Sequence, residues 1–134
     1  MKKTALVAVA LTFGLSGCAH HHMRTESKPD PFNPHVSVVD GKYIVVNQEP
    51  IIIPRKDKDK TITWHLPKDT PYSFPADGIV IDKGDDEFKC NVEADKKKFA
   101  CKNKNSKPGK YKYTIKVMDG AKPLEPLDPV MVNG

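Results

Sequence analysis

From Tyr111 to Val117 the chain alternates without a break: Tyr111, Tyr113, Ile115 and Val117 are apolar or aromatic, and Lys112, Thr114 and Lys116 lie between them. Successive side chains of an extended strand point to opposite faces, so this stretch buries one clean face only as a strand. The same period of two runs through Ile62, Trp64 and Leu66, set against Thr61, Thr63 and His65, and it turns His65 outwards. Val36–Val39 and Lys42–Val46 flank Asp40-Gly41, a dipeptide suited to the positive φ angles of a two-residue hairpin turn. A two-residue turn there sets Val38 opposite Tyr43 and Val36 opposite Val45.

Further strand signals follow in Ile51–Ile53 between Pro50 and Pro54, Gly78–Ile81, Glu87–Val92, Lys97–Cys101 and Val130–Val132. No convincing amphipathic helix occurs after residue 18. Short strands joined by Pro, Gly, Asp and Asn turns must each cover one apolar face with another sheet, which predicts an all-β, antiparallel sandwich of about eight strands. Cys90 and Cys101 fall on the inward rhythm beside Phe88 and Phe99, either side of a polar turn. In an oxidising compartment the two are expected to form a disulfide, which would add roughly 3 kcal/mol by restricting the unfolded chain.

The first eighteen residues have another character. Lys2 and Lys3 precede an apolar run from Ala5 to Phe13, followed by Leu15-Ser16-Gly17-Cys18. A basic start, a short apolar middle and small residues at the end are the layout of a secretory signal peptide. The run spans about ten residues where a membrane-crossing helix needs roughly 20. Leu15-Ser16-Gly17-Cys18 resembles the lipobox of bacterial lipoproteins. That resemblance implies cleavage before Cys18 and a covalent diacylglyceryl and N-acyl lipid on its thiol and new amino terminus. Two or three acyl chains hold a protein firmly at a bilayer. Ala19 after the cysteine implies, by the same resemblance, the outer membrane facing the periplasm.

The expected organisation is thus a signal peptide over 1–17, a lipidated tether over 18–34 rich in His and Pro, and a sandwich domain over 35–134. Cleavage removes two of the 22 basic residues and none of the 17 acidic ones, so the net charge falls from +5 to +3. Much of that charge sits in mixed runs such as Arg55-Lys56-Asp57-Lys58-Asp59-Lys60. This does not make the basic stripe that reads phosphates, so nucleic acid is not an expected partner.

Little in the domain points to catalysis. Of Ser27, Ser37, Ser73 and Ser106, none sits in a Gly-x-Ser-x-Gly turn, and Asp85-Asp86-Glu87 after Lys83-Gly84 reads as a turn. The stretch Cys101–Met118, with Pro108-Gly109-Lys110-Tyr111 inside it, resembles the closing end of a cupredoxin over about twenty residues. A copper centre of that kind needs two imidazoles and a thiolate. The histidine that should follow the cysteine is missing, since the five histidines are His20, His21, His22, His35 and His65. A cupredoxin-like or immunoglobulin-like fold without the metal is what the resemblance then implies. Trp64-His65-Leu66-Pro67, Phe74-Pro75-Ala76-Asp77-Gly78-Ile79 and Leu127-Asp128-Pro129-Val130 together resemble a pattern of small bacterial β-sandwich proteins, and carry no activity with them.

The segment from Leu66 to Asp77 holds three prolines with Tyr72 and Phe74. Those two rings are candidate partner contacts, or else caps on one end of the sandwich. The expected function is a non-catalytic binding or structural module, anchored to a membrane and facing an envelope protein or polymer. A periplasmic metal-binding or delivery protein using His20–His22, His65 or methionines is the alternative, since imidazoles in a tail bind copper, zinc or nickel.

Overall fold

The structure, a computed structural model, describes residues 28–134. The signal peptide, Cys18 and the His20–His22 tract lie outside the described residues. Asp40 and Gly41 both adopt positive φ, 53° and 64°, and turn the chain between β1 (Val36–Val39) and β2 (Tyr43–Val46). The strands that follow are β3 (Ile51–Ile53), β4 (Lys60–His65), β5 (Tyr72–Ser73), β6 (Ile79–Ile81), β7 (Phe88–Val92) and β8 (Lys98–Asn103). The last four are β9 (Gly109–Ile115), β10 (Met118–Asp119), β11 (Lys122–Pro123) and β12 (Val130–Asn133).

The hairpin register differs by one residue from the two-residue reading. Val39 pairs with Tyr43, Val38 with Ile44 and Val36 with Val46, which leaves Lys42 in the loop. A one-residue slip moves every side chain to the other face. Ile44 is therefore buried, whereas Tyr43 is exposed.

Two larger sheets build the sandwich. One has the order β4-β8-β7; the other runs β3-β12-β9-β6. The second is mixed, because β3 lies parallel to β12 while the other pairs are antiparallel. Aromatic pairs join the two layers: Trp64 on β4 meets Tyr113 on β9 at 5.4 Å between centroids, and Phe88 on β7 meets Tyr111 on β9 at 5.1 Å. Ile51, Ile53, Ile62, Ile115 and Met131 fill the space between them and are fully buried. The all-β sandwich is thus present, with twelve strands among the described residues instead of about eight. Three of the twelve, β5, β10 and β11, have two residues each and form a separate small sheet ordered β11-β10-β5. Pro123 is tolerated there because β11 is an edge, where no inward N–H is required.

Cys90 and Cys101 are directly opposed on β7 and β8, and a disulfide joins them. Both side chains lie on the face of Phe88 and Phe99, but only Cys101 is fully buried. Cys90 is exposed, since β7 forms the edge of its sheet.

Residues 30–34, expected in the tether, lie against the open edge of β4. The Thr63 amide donates to the Phe32 carbonyl (2.9 Å) and the His65 amide to the Pro34 carbonyl (3.0 Å). Gln48 Nε2 donates to the Asp30 carbonyl (2.6 Å), Pro34 is buried, and Phe32 packs on the core. Residues 30–34 thus pack along the sandwich through Phe32 and Pro34.

Candidate functional site

The loop between β4 and β5 is held down by one amine. Lys97 Nζ, just before β8, donates to the Thr70 carbonyl (2.6 Å) and also to the Tyr72 carbonyl. Backbone bonds from Leu66 N to Lys97 O and from Phe74 N to Lys96 O, each 2.8 Å, complete the attachment. Phe74 is fully buried and meets Phe99 edge-on at 5.9 Å between centroids. It is therefore removed as a partner contact: the ring is folded inwards against Phe99 and Gly78. Gly78 leaves room for that ring, since a Cβ there would lie 3.0 Å from the Phe74 Cβ. Tyr72 is half-buried on β5, and its hydroxyl lies 3.9 Å from the place a Cβ would take on Gly41. The tip of the β1–β2 hairpin therefore rests against Tyr72.

The same hairpin turns an apolar stripe to solvent. On its outer face Tyr43 is 59% exposed, Val39 45% and Val45 38%. These side chains follow from the register, which commits Val36, Val38, Ile44 and Val46 to the core side. Tyr43 forms a parallel bridge with Glu125. Glu125 in turn lines an open cleft of about 480 Å³ whose apolar walls are Pro123, Leu124, Pro126, Pro75 and Met118. One rim carries the Lys116–Asp77 ion pair at 2.8 Å, which lowers the Asp77 carboxyl below its ordinary value through the Lys116 hydrogen bond. Stripe and cleft thus meet at Glu125. The two-residue turn expected at Asp40-Gly41 set Tyr43 opposite Val38, whereas Val39 is its partner and the ring faces solvent.

This region offers contact chemistry. Tyrosine and proline side chains supply rigid apolar area at small entropic cost, and methionine adapts its shape to what it meets. Elsewhere, Glu87 accepts hydrogen bonds from the Ser106 amide (3.0 Å) and the Ser106 hydroxyl. That carboxylate joins the turn before β7 to the loop after β8, and neither described histidine is bonded to it. Asp85 and Asp86 beside it are exposed turn residues.

His65, expected to face outwards, is half-buried. Its Nε2 lies 2.9 Å from Asn33 Oδ1, and its ring stacks on His35 with centroids 5.3 Å apart and planes inclined by 28°. Imidazole lone pairs lie in the ring plane, so two nearly parallel rings do not converge on one ion. Met131 is fully buried, and Met118 lines the cleft. Among the described residues no three His, Cys, Asp or Glu side chains are grouped as metal ligands.

Comparison of the chain with protein-family models and with curated proteins finds no match to either.

Proposed function

We propose that the chain is an envelope lipoprotein, cut before Cys18 and held by acyl groups on that residue, most naturally on the periplasmic side of an outer membrane. Its sandwich acts as a non-catalytic binding module for another envelope protein or polymer. The observation that carries the binding reading is the outward stripe of Val39, Tyr43 and Val45, which ends at the cleft by Glu125. A fold that buries eighteen apolar side chains in one cluster yet leaves these three together in solvent has a use for them. The anchor is supported by Leu15-Ser16-Gly17-Cys18 behind its apolar run, and an oxidising compartment suits the Cys90–Cys101 disulfide.

The test is crosslinking in intact envelopes, with wild-type chain compared with Tyr43→Ala/Val45→Ser. A specific crosslinked species lost in the variant supports the reading. The same species at the same yield from both chains removes the stripe as the contact.

A further inference from the structure

The register of β7 against β8 sets two cations against each other. Cys90 and Cys101 lie on the inner face with Phe88 and Phe99, so Lys89 and Lys102, the next pair along, are partners on the outer face of the sheet. Both are exposed, and among the described residues neither enters an ion pair. Like charges directly opposed across two strands destabilise a sheet. Lys98 and Lys104 continue the outward line of β8, and Glu93 is the acid that faces the Lys98 end.

At the Lys102 end the neighbouring carboxylates are engaged or turned away. Asp57 pairs with Lys60 at 2.7 Å, Glu87 accepts from Ser106, and Asp85 lines the groove beside β6. Asp59 and Asp86 stay exposed in flanking turns, where Lys56, Lys58 and Lys107 outnumber them. Between the lysines the outer face carries Thr61, Thr63, Ala100 and Asn91, with no large apolar side chain among them. Such a face suits contact with anionic groups at a surface and not insertion into an apolar one.

The chain enters the domain at this same end. Residues 30–34 run parallel to β4, because the Thr63 and His65 amides donate to the Phe32 and Pro34 carbonyls, and Phe32 lies under Lys60 Nζ at 5.2 Å from its ring centroid. Asp30 is therefore beside the start of β4. From there across β8 to β7 is two strand spacings, roughly 10 Å. Residues 18–27 precede the described chain and span at most roughly 36 Å when extended. A lipid on Cys18 thus keeps the lysine pair within reach of the bilayer surface.

We propose that the outer face of the β4-β8-β7 sheet, centred on Lys89 and Lys102, lies against the phosphate-bearing headgroups of the membrane that holds Cys18. This rests on the anchor reading, and adds to it an orientation. Lys97, which holds the Tyr72 carbonyl, is at the other end of β8, and the tip of the β1–β2 hairpin rests on Tyr72. The Tyr43 stripe therefore stands at the end of the sheet away from the lysine pair, free to meet a partner while the lysines meet lipid. Attraction to an anionic leaflet falls off within roughly 8 Å at physiological salt, so the face must lie close to the headgroups to feel it.

The experiment reads amine reactivity. Acylated chain extracted with detergent is reconstituted into phosphatidylglycerol vesicles and, separately, into phosphatidylcholine vesicles, then acetylated briefly and mapped by mass spectrometry. Lys89 and Lys102 are expected to react about fivefold more slowly on phosphatidylglycerol, the weight of one lysine at a charged surface, while Lys68 and Lys122 react alike on both. Added salt should remove the difference. Equal reactivity of Lys89 and Lys102 on the two lipids overturns the proposal and leaves the anchor standing. If no acylated chain is recovered, the anchor reading fails on its own, and cosedimentation of the unacylated chain with phosphatidylglycerol vesicles decides for the face. Binding that weakens roughly thirtyfold in Lys89→Ser/Lys102→Ser supports it. Equal binding of both chains, or none by either, overturns it.

Discussion

Cys90 and Cys101 face each other across β7 and β8 with their Cα atoms 4.0 Å apart, yet Cys101 is fully buried and Cys90 is exposed. The bridge therefore links the core to an exposed edge strand, and reductant is expected to reach it from the Cys90 side without the domain unfolding. Replacing both cysteines by Ala is expected to cost about 2–4 kcal/mol in urea unfolding. The disulfide should also be reduced by thiols in native buffer, as read by alkylation and mass spectrometry.

Lys97 is the fastening of the loop from Leu66 to Tyr72. Lys97→Met keeps the stem of the side chain and removes the donors to two carbonyls. A loss of about 1–3 kcal/mol is expected from those unpaired groups. Proteolysis should begin within residues 66–72 in the variant and not in the wild type.

Tyr113 hydroxyl and Trp64 Nε1 are buried without a hydrogen-bond partner in the middle of the core. Burial pushes the Tyr113 phenol up, and the nearby Trp64 N–H opposes that shift without reaching hydrogen-bond geometry. A buried hydroxyl without a partner has already lost its water bonds, so Tyr113→Phe removes a cost and little packing. The variant should be as stable as the wild type or more stable by up to about 1 kcal/mol, measured by thermal unfolding. A loss above about 2 kcal/mol would show that the hydroxyl is bonded in solution.

Glu87 accepts two hydrogen bonds from Ser106, and these hold its carboxyl below the ordinary glutamate value. A depressed acid contributes stability above its unfolded value and loses it as the pH falls through the folded one. Wild-type stability should therefore fall below about pH 4.5 more steeply than that of Glu87→Gln, which keeps an acceptor but no charge. Urea midpoints across that range check the difference.

Much of the fold could be read from alternation. β4 and most of β9 reveal themselves by a strict period of two, with Trp64 and Tyr113 inward as expected. Three features were hidden for identifiable reasons. β5, β10 and β11 are two residues long, too short to show any period. Asp40-Gly41 announces a turn but not how many residues it takes, and inclusion of Lys42 inverted the facing of Tyr43. The prolines at 29, 31 and 34 suggested a spacer, and masked Phe32 as a lone aromatic seeking the core. Of the candidate contacts, Tyr72 stays near the surface, whereas Phe74 went inward, because its neighbours Gly78 and Phe99 shape a site for it. The stripe at Tyr43 depended on tertiary register, which a single strand does not encode.

A leashed module stands or falls with the chemistry of one N-terminal sulfur. Intact mass of the chain extracted from a membrane fraction with detergent reads it directly. The account predicts a polypeptide that begins at Cys18 and is heavier than its residues by a diacylglyceryl group and one further acyl chain. A chain that keeps residues 1–17, or begins at Cys18 with a free thiol and stays in the aqueous fraction, contradicts it.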